Sequence, residues 1–214
     1  MKFNIDLHVH SKYSEDNDAD PEESVYRAIE RGLQGIAFTE HYFYASSEFV
    51  DELKEKFNGT IKIFRGVEFS ADEGHCLIFG TDTDKLPIKR ASIQEIIPIV
   101  NEAGGVVIPS HPFRPGTSLG DLVRRISGLV ALEGYNGVNM PDMNMRAVEV
   151  AKAMNLPFTG GSDAHESQDV GSCFTRFNEE VTYDHFIDIL KAGEYRGVDM
   201  RKTSRMLINN LSGC

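Results

Sequence analysis

The stretch FNIDLHVH at residues 3–10 decides the class of fold. Phe3, Ile5 and Leu7 alternate with polar residues, which predicts a β-strand. Asp20 and Pro21 then form the cap and first residue of a predicted helix, and strand-like and helical segments continue to alternate along the chain. The further strand-like runs lie at residues 35–39, 61–69, 76–80, 106–110, 129–133, 157–161 and 173–177.

This alternation predicts an α/β protein with a mostly parallel sheet and helices outside it. About seven strands leave no obvious second core, so we favour a closed or nearly closed barrel over an open doubly wound sheet. The short turn at residues 70–74 predicts an antiparallel hairpin between the third and fourth strands, because a parallel return needs a longer crossover.

Composition sets the broad class of the protein. A chain of 214 residues with 41% hydrophobic and 26% charged residues is typical of one globular domain, which we expect to span residues 1–214. We find no apolar run long enough for a membrane span and no apolar leader, so we expect a cytoplasmic protein. Cys76, Cys173 and Cys214 are accordingly interpreted as free thiols. The net charge of −11 disfavours duplex nucleic acid as a partner but permits a small phosphorylated ligand in a locally positive pocket.

Histidines mark the edges of the predicted strands. Six of the seven lie there, while His185 lies on a predicted helix; the six are His8, His10, His41, His75, His111 and His165. Acidic residues accompany them at the strand ends: Asp6, Glu40, Glu68, Glu133 and Asp163. Because functional residues of parallel α/β folds gather at the carboxyl ends of the strands, we expect these side chains to converge at one rim.

The convergent set has the composition of a metal site. His8 and His10 are two residues apart, so both side chains point to one face of their strand and can chelate one cation. Glu68 can bridge two cations. Nitrogen and oxygen ligands without cysteine suit zinc, manganese or iron, and so many ligands indicate more than one ion.

Five short motifs occur in a diagnostic order: DLHVHS (6–11), TEH (39–41), GVE (66–68), SHP (110–112) and GSDAH (161–165). Together they resemble the PHP (polymerase and histidinol phosphatase) family, over residues 2–175. The resemblance implies a distorted (β/α)7 barrel with two or three divalent cations at the carboxyl ends of its strands. Members of that family are phosphoesterases, including histidinol-phosphate phosphatases, nucleotide phosphatases and nuclease modules of bacterial DNA polymerases.

The resemblance also implies three metal positions. The first takes His8, His10, Glu68 and Asp163; the second takes Glu68, His75 and His111; the third takes His41 and His165 with an acid from the first loop. That acid is Glu15 or Asp16, of which we prefer Asp16. We expect Asp6 and Glu40 to orient histidine ligands and Glu133 to support the site without being a ligand.

These assignments predict hydrolysis of a small phosphate ester, a nucleotide or a sugar or alcohol phosphate, by a hydroxide bridged between cations. The candidate catalytic residues are Glu68, Asp163, His165 and Arg114. Arg114 follows His111 by three residues and is the candidate contact for the substrate's phosphate, with an ordinary surface arginine as the equal alternative. Ser11 is a candidate hydrogen-bond donor to the substrate, and aromatic residues of the rim loops, such as Tyr42 and Phe43, are candidates to stack on a base or sugar.

Three other functions remain open from the residues. They are a metal-dependent amidohydrolase, an exonuclease for short substrates, and a metal-binding module without catalysis. A glutamate rather than a lysine at the bridging position, residue 68, argues against the amidohydrolase.

Overall fold

The fold is built around the strand that the opening stretch predicts. A computed structural model describes residues 2–201. Its strands are β1 (Phe3–Val9), β2 (Gly35–Phe38), β3 (Lys62–Ala71), β4 (Gly74–Phe79), β5 (Val106–Pro109), β6 (Leu132–Asn136), β7 (Phe158–Gly161), β8 (Cys173–Phe177) and β9 (Tyr195–Asp199). Its helices are α1 (Pro21–Glu30), α2 (Val50–Lys56), α3 (Ile93–Glu102), α4 (Pro141–Ala153) and α5 (Phe186–Ala192).

Seven strands form one curled sheet in the order β5-β4-β3-β2-β1-β8-β9, and β6 pairs with β7. The β6–β7 pair lies between β5 and β1. Its link to β1 is formed by Asp163 N–H, which donates to the His8 carbonyl at 2.7 Å, and by His10 N–H, which donates to the Ala164 carbonyl at 3.1 Å. The curled sheet and this pair form the distorted barrel that the sequence predicts.

The pairing within the sheet corrects one expectation. β1, β2 and β3 are parallel, as are β6 and β7, but β3–β4, β4–β5, β1–β8 and β8–β9 are antiparallel. The sheet is therefore not mostly parallel. The predicted hairpin between the third and fourth strands is confirmed, and it places Ser70 directly opposite His75.

Apolar side chains fill the barrel below the histidines. Ile5, Leu7, Phe79 and Ile108 are fully buried in one cluster, and each belongs to a strand that carries or precedes a histidine of the rim. Burial of such side chains stabilises the fold by about 1.5–3 kcal/mol each. The polar rim therefore lies directly above a tightly packed apolar core.

Local signals fix several boundaries. The Asp20 carboxylate accepts the N–H groups of Glu22 and Glu23, which starts α1 at the predicted position. The predicted strand at residues 129–133 begins later, at Leu132, and β9 has no counterpart among the predicted strands.

Cys76 and Cys173 are buried free thiols, whereas Cys214 lies outside the described residues. Within residues 2–201 no helix is both long and apolar enough to cross a bilayer. The cytoplasmic location stays a prediction.

Candidate metal centre

Five of the six histidines of the strand edges gather around one carboxylate, Glu68 on β3. The side chain of Glu68 is buried and lies within 3.5 Å of five imidazoles. The shortest of these contacts joins Glu68 Oε1 to His111 Nε2 at 2.8 Å. The other four imidazoles belong to His8, His10, His41 and His75. A single glutamate therefore connects side chains from β1, β4 and the segments after β2 and β5.

The first predicted position is fully buried and has the spacing of a cation site. His8 Nε2 and His10 Nε2 are 3.1 Å apart, and each lies 3.3–3.5 Å from Glu68 Oε2 and Asp163 Oδ1. A tetrahedral cation with ligand bonds of about 2.0–2.1 Å holds its ligand atoms about 3.3 Å apart. The four side chains therefore fit such a cation without rearrangement.

The second and third predicted positions flank the first. His75 Nδ1 lies 3.4 Å from Glu68 Oε1, the same oxygen that His111 contacts, so these three form the second group. In the third group Asp16 Oδ2 lies 3.4 Å from His41 Nε2 and 3.3 Å from His165 Nε2. Ligand atoms of His10, His41 and His165 also lie within 4.8 Å of one another.

The first loop presents Asp16, not Glu15, to the third group. Both residues are exposed, but Asp16 Oδ2 lies within 3.4 Å of both imidazoles of that group. The preference for Asp16 over Glu15 therefore agrees with this placement, and the ligand role itself remains a proposal.

Neighbouring acceptors fix the histidine rings of the first position. His8 Nδ1 lies 2.9 Å from Glu133 Oε1, so this carboxylate accepts the Nδ1 proton and leaves Nε2 free for a cation. His10 Nδ1 lies 3.3 Å from Ser14 Oγ, and that hydroxyl donates to Glu40 Oε2 at 2.5 Å. Glu133 thus orients His8 directly, whereas Glu40 acts on His10 through a serine.

Without cations, protons on the buried histidines offset part of the charge of the carboxylates. Burial alone would lower the pKa of His8, but Asp163, Glu133 and Glu68 hold that pKa well above its usual value. Burial likewise opposes protonation of His10, yet hydrogen bonds that its ring donates to Asp163 and Glu68 raise its pKa to about 9. A divalent cation replaces such protons when it binds, so metal affinity falls as the pH falls.

Backbone strain is concentrated at the same rim. His111 and Asp163 have φ angles of 30° and 54°, and Tyr42, which follows His41, has φ 66°. Left-handed backbone is uncommon for residues other than glycine and clusters at functional sites.

Comparisons with known proteins identify the family. The PHP domain model matches residues 6–103, and a PHP-associated model matches residues 141–195. The chain belongs to the PHP family. That family is one of metal-dependent phosphoesterases, and the predicted resemblance is confirmed.

Two relatives of this PHP protein share part of its length. An uncharacterised protein of Methanocaldococcus jannaschii is 28% identical over 129 residues, which cover 55% of this chain and 73% of that protein. A histidinol-phosphatase of Lactococcus lactis is 29% identical over 116 residues, which cover 49% of this chain and 41% of that enzyme. The match thus spans less than half of the phosphatase.

Solved structures agree on the PHP fold. PsfC of Pseudomonas syringae superimposes with a TM-score of 0.71 at 20% identity, covering 97% of this chain and 95% of PsfC. A two-domain protein of Bacteroides vulgatus, containing a predicted PHP-like metal-dependent phosphoesterase, gives 0.72 at 21% identity and covers 93% and 65%. The lesion-specific endonuclease Q of Pyrococcus furiosus gives 0.70 at 20% identity and covers 92% and 57%. At these identities the likeness establishes the fold.

Arg114 of the PHP chain lies beside the first position. Its Nη2 donates to Asp163 Oδ2 at 2.5 Å and to Asn136 Oδ1 at 2.8 Å, and its Nε donates to Asn139 Oδ1 at 2.9 Å. Asp163 therefore faces His8 and His10 with Oδ1 and holds the guanidinium at the edge of the centre with Oδ2. Its two Nη1 protons are not used by these bonds.

Two expectations about polar residues need correction. Ser11 is fully buried, and its hydroxyl donates to Glu40 Oε1 at 2.6 Å, so it does not face a substrate. Asp6 does not orient an imidazole; its carboxylate accepts the N–H groups of Ser162 at 2.8 Å and Gly171 at 2.7 Å. Asp6 therefore fixes the backbone that leads into Asp163.

Two further side chains contact the candidate ligands, Ser14 and Asn136, and neither belongs to the predicted ligand set. Ser14 accepts His41 N–H at 3.1 Å in addition to its contact with His10. Asn136 donates through Nδ2 to Asp163 Oδ2 at 3.1 Å and to Glu133 Oε2 at 3.0 Å. Ser14 lies inside the first loop and Asn136 lies three residues after the predicted strand at 129–133, so only their position near the rim could have indicated them.

Proposed function

We propose that the chain hydrolyses a small phosphate ester and works with two or three divalent cations of zinc, manganese or iron. The observation that carries this proposal is the buried group of His8, His10, Glu68 and Asp163, whose spacing fits a cation. Buried carboxylates and imidazoles at this density are stable only when they are paired or bind metal. His41, His75, His111, His165 and Asp16 are the proposed ligands of the flanking positions.

When bound, the cations supply Lewis acidity that offsets the charge of a phosphate and activates water near neutral pH. The protein's own groups complete the site. Arg114 keeps its two Nη1 protons for the phosphate oxygens, and its guanidinium charge offsets theirs. Glu68 and Asp163 hold the cationic groups together. When only the first two positions hold cations, His165 is the candidate proton donor, because its side chain is 36% exposed at the rim.

A small substrate is favoured over a long nucleic acid. The net charge of −11 repels an extended polyanion, whereas a phosphate monoester needs only the local positive charge of the centre. The fold shared with endonuclease Q supports a short nucleic acid as the second candidate substrate.

The test is phosphate release by the zinc- or manganese-loaded protein across a panel of monoesters, diesters and amides. His10→Ala should lower turnover by at least about 100-fold, because it removes a ligand and metal affinity depends on the full set. His185→Ala is the matched control, since His185 lies apart from the cluster and contacts Thr182. Amide turnover without phosphate release, or full activity of the His10 variant, would contradict the proposal.

A further inference from the structure

A cleft of about 470 Å³ opens beside the metal centre. Tyr42, Phe43 and Phe69 form its aromatic side, and Ser70, Lys89 and Arg90 are among the residues that complete it. Tyr42 and Phe43 are the loop aromatic residues that the sequence predicts to stack on a base or sugar, and the proposed function gives this cleft no role.

Two contacts place the cleft next to the proposed ligands. The ring of Tyr42 lies 5.6 Å from the imidazole of His41, centroid to centroid, and Tyr42 N–H donates to the Glu68 carbonyl at 3.2 Å. Ser70 pairs with His75 across the β3–β4 hairpin, so both side chains lie on one face of that hairpin. The cleft therefore borders the side of the centre formed by His41 and His75.

The aromatic side is held exposed by a strained backbone. Tyr42 is 47% exposed and Phe43 is 55% exposed, although large apolar side chains gain stability when they are buried. Tyr42 and Arg90 both have left-handed backbone, with φ angles of 66° and 55°. Within residues 2–201 five residues other than glycine have positive φ, and two of them line this cleft. Strain maintained at exposed aromatic and basic residues points to binding rather than packing.

The charge of the cleft is positive. Lys89 and Arg90 are exposed, and the one acid of the lining, Asp84, already accepts the N–H groups of Tyr44 at 3.0 Å and Ala45 at 2.9 Å. These two N–H groups offset part of the negative charge of Asp84, so Asp84 attracts Lys89 and Arg90 less strongly.

We propose that this cleft binds the leaving group of the substrate and selects a planar aromatic group that carries a negative charge. The inference rests on the proposed phosphoesterase function and specifies its substrate class. The aromatic side chains stack on the planar group, while Lys89 and Arg90 attract its anionic substituent. A leaving group that carries an ammonium is repelled by the same two side chains.

The test uses four phosphate monoesters that differ in the leaving group: 4-carboxyphenyl, phenyl, 4-(aminomethyl)phenyl and glycerol. We expect kcat/KM for the carboxyphenyl ester to exceed that for the aminomethyl ester by about tenfold, the combined effect of two exposed charge contacts. In Lys89→Ala/Arg90→Ala this ratio should fall to about one. Phe43→Ala should lower kcat/KM for the aryl esters about fivefold and leave the glycerol ester unaffected, because stacking is lost. Lys85→Ala is the matched control, since Lys85 belongs to the same segment but pairs with Asp82.

Binding of (4-carboxyphenyl)phosphonate, which is not hydrolysed, to the metal-free protein separates this inference from the proposed function. Binding that weakens severalfold in the Lys89/Arg90 variant supports the cleft even if no ester is turned over, and in that case only the phosphoesterase proposal fails. A charge preference that persists in the Lys89/Arg90 variant, or that Lys85→Ala abolishes equally, overturns the inference.

Discussion

Replacing Ser14 by alanine removes the atom that joins two candidate ligands to a buried carboxylate. Ser14 Oγ lies 3.3 Å from His10 Nδ1, accepts His41 N–H at 3.1 Å and donates to Glu40 Oε2 at 2.5 Å. All of these groups are buried or nearly so, hence water cannot readily replace the hydroxyl. In the Ser14→Ala variant the His10 ring and the His41 N–H lose their acceptor, and the Glu40 carboxylate loses a donor.

The magnitude follows from those lost partners. Buried groups left without a partner cost about 1–3 kcal/mol each, so we expect the metal-free variant to lose about 3 kcal/mol of unfolding free energy. Loss of the acceptor that orients a ligating imidazole lowers metal affinity by about 10- to 100-fold. Ser14→Thr keeps the hydroxyl and should restore most of the affinity.

The assay is zinc binding by chelator competition, together with urea unfolding and the His10 Nδ1–H resonance of the zinc-loaded protein. That proton should be protected from exchange in the native chain and exchange faster in Ser14→Ala. Ser11→Ala is the matched control, because Ser11 also donates to Glu40, at 2.6 Å, and its contacts do not include His10. Unchanged zinc affinity in Ser14→Ala, or an equal loss in Ser11→Ala, would refute the reasoning.

Three further predictions follow from other contacts. Arg114→Ala should lower kcat/KM for a phosphomonoester by about 100-fold, because it removes a charged phosphate contact, and an unchanged value excludes Arg114 from the site. After Cys214 is replaced by serine, the folded protein should resist alkylation, since burial raises the pKa of the Cys76 and Cys173 thiols; rapid modification without denaturant would contradict this. Burial raises the pKa of Asp6 from 3.8 to about 6. Between these two pH values the folded state therefore binds more protons than the unfolded state, so the contribution of Asp6 to the free energy of unfolding falls as the pH rises. Urea unfolding of Asp6→Asn, compared with the native chain from pH 4 to pH 6, should show the difference move in favour of the variant by about 2 kcal/mol, and a constant difference would argue against the burial effect.

The convergence of the histidines was predictable because it depends on strand polarity. His8 lies at the end of β1 and His41 follows β2, and the carboxyl ends of these parallel strands must meet at one rim. His75 lies at the start of β4, but a hairpin turn too short for a crossover returns it to the same rim beside Glu68. Local patterns therefore fixed which side chains meet.

The supporting contacts were not predictable because they join distant residues of ordinary type. Asp6 contacts Gly171 across 165 positions of the sequence, and Ser14 contacts Glu40 across 26. Serine and aspartate occur in most loops and strand ends, so neither position carries a periodic or spacing signal. Strand β9 was missed for a related reason: its five residues, YRGVD, contain a glycine and two charges, and only pairing with β8 makes them a strand.

The three candidate ligand groups differ in solvent exposure, and we expect this difference to rank their affinities for cations. The side chains of His8 and His10 are fully buried, whereas those of Asp16 and His165 are 56% and 36% exposed. A buried, preoriented group binds its cation tightly because little has to be ordered on binding, while an exposed loop carboxylate must be fixed in place first. We therefore expect a cation at the third proposed position to exchange with solvent most readily. The proposed ligand His41 adjoins Tyr42 at the aromatic cleft, so we expect a substrate to approach from the side where the third proposed position and the proposed leaving-group pocket meet.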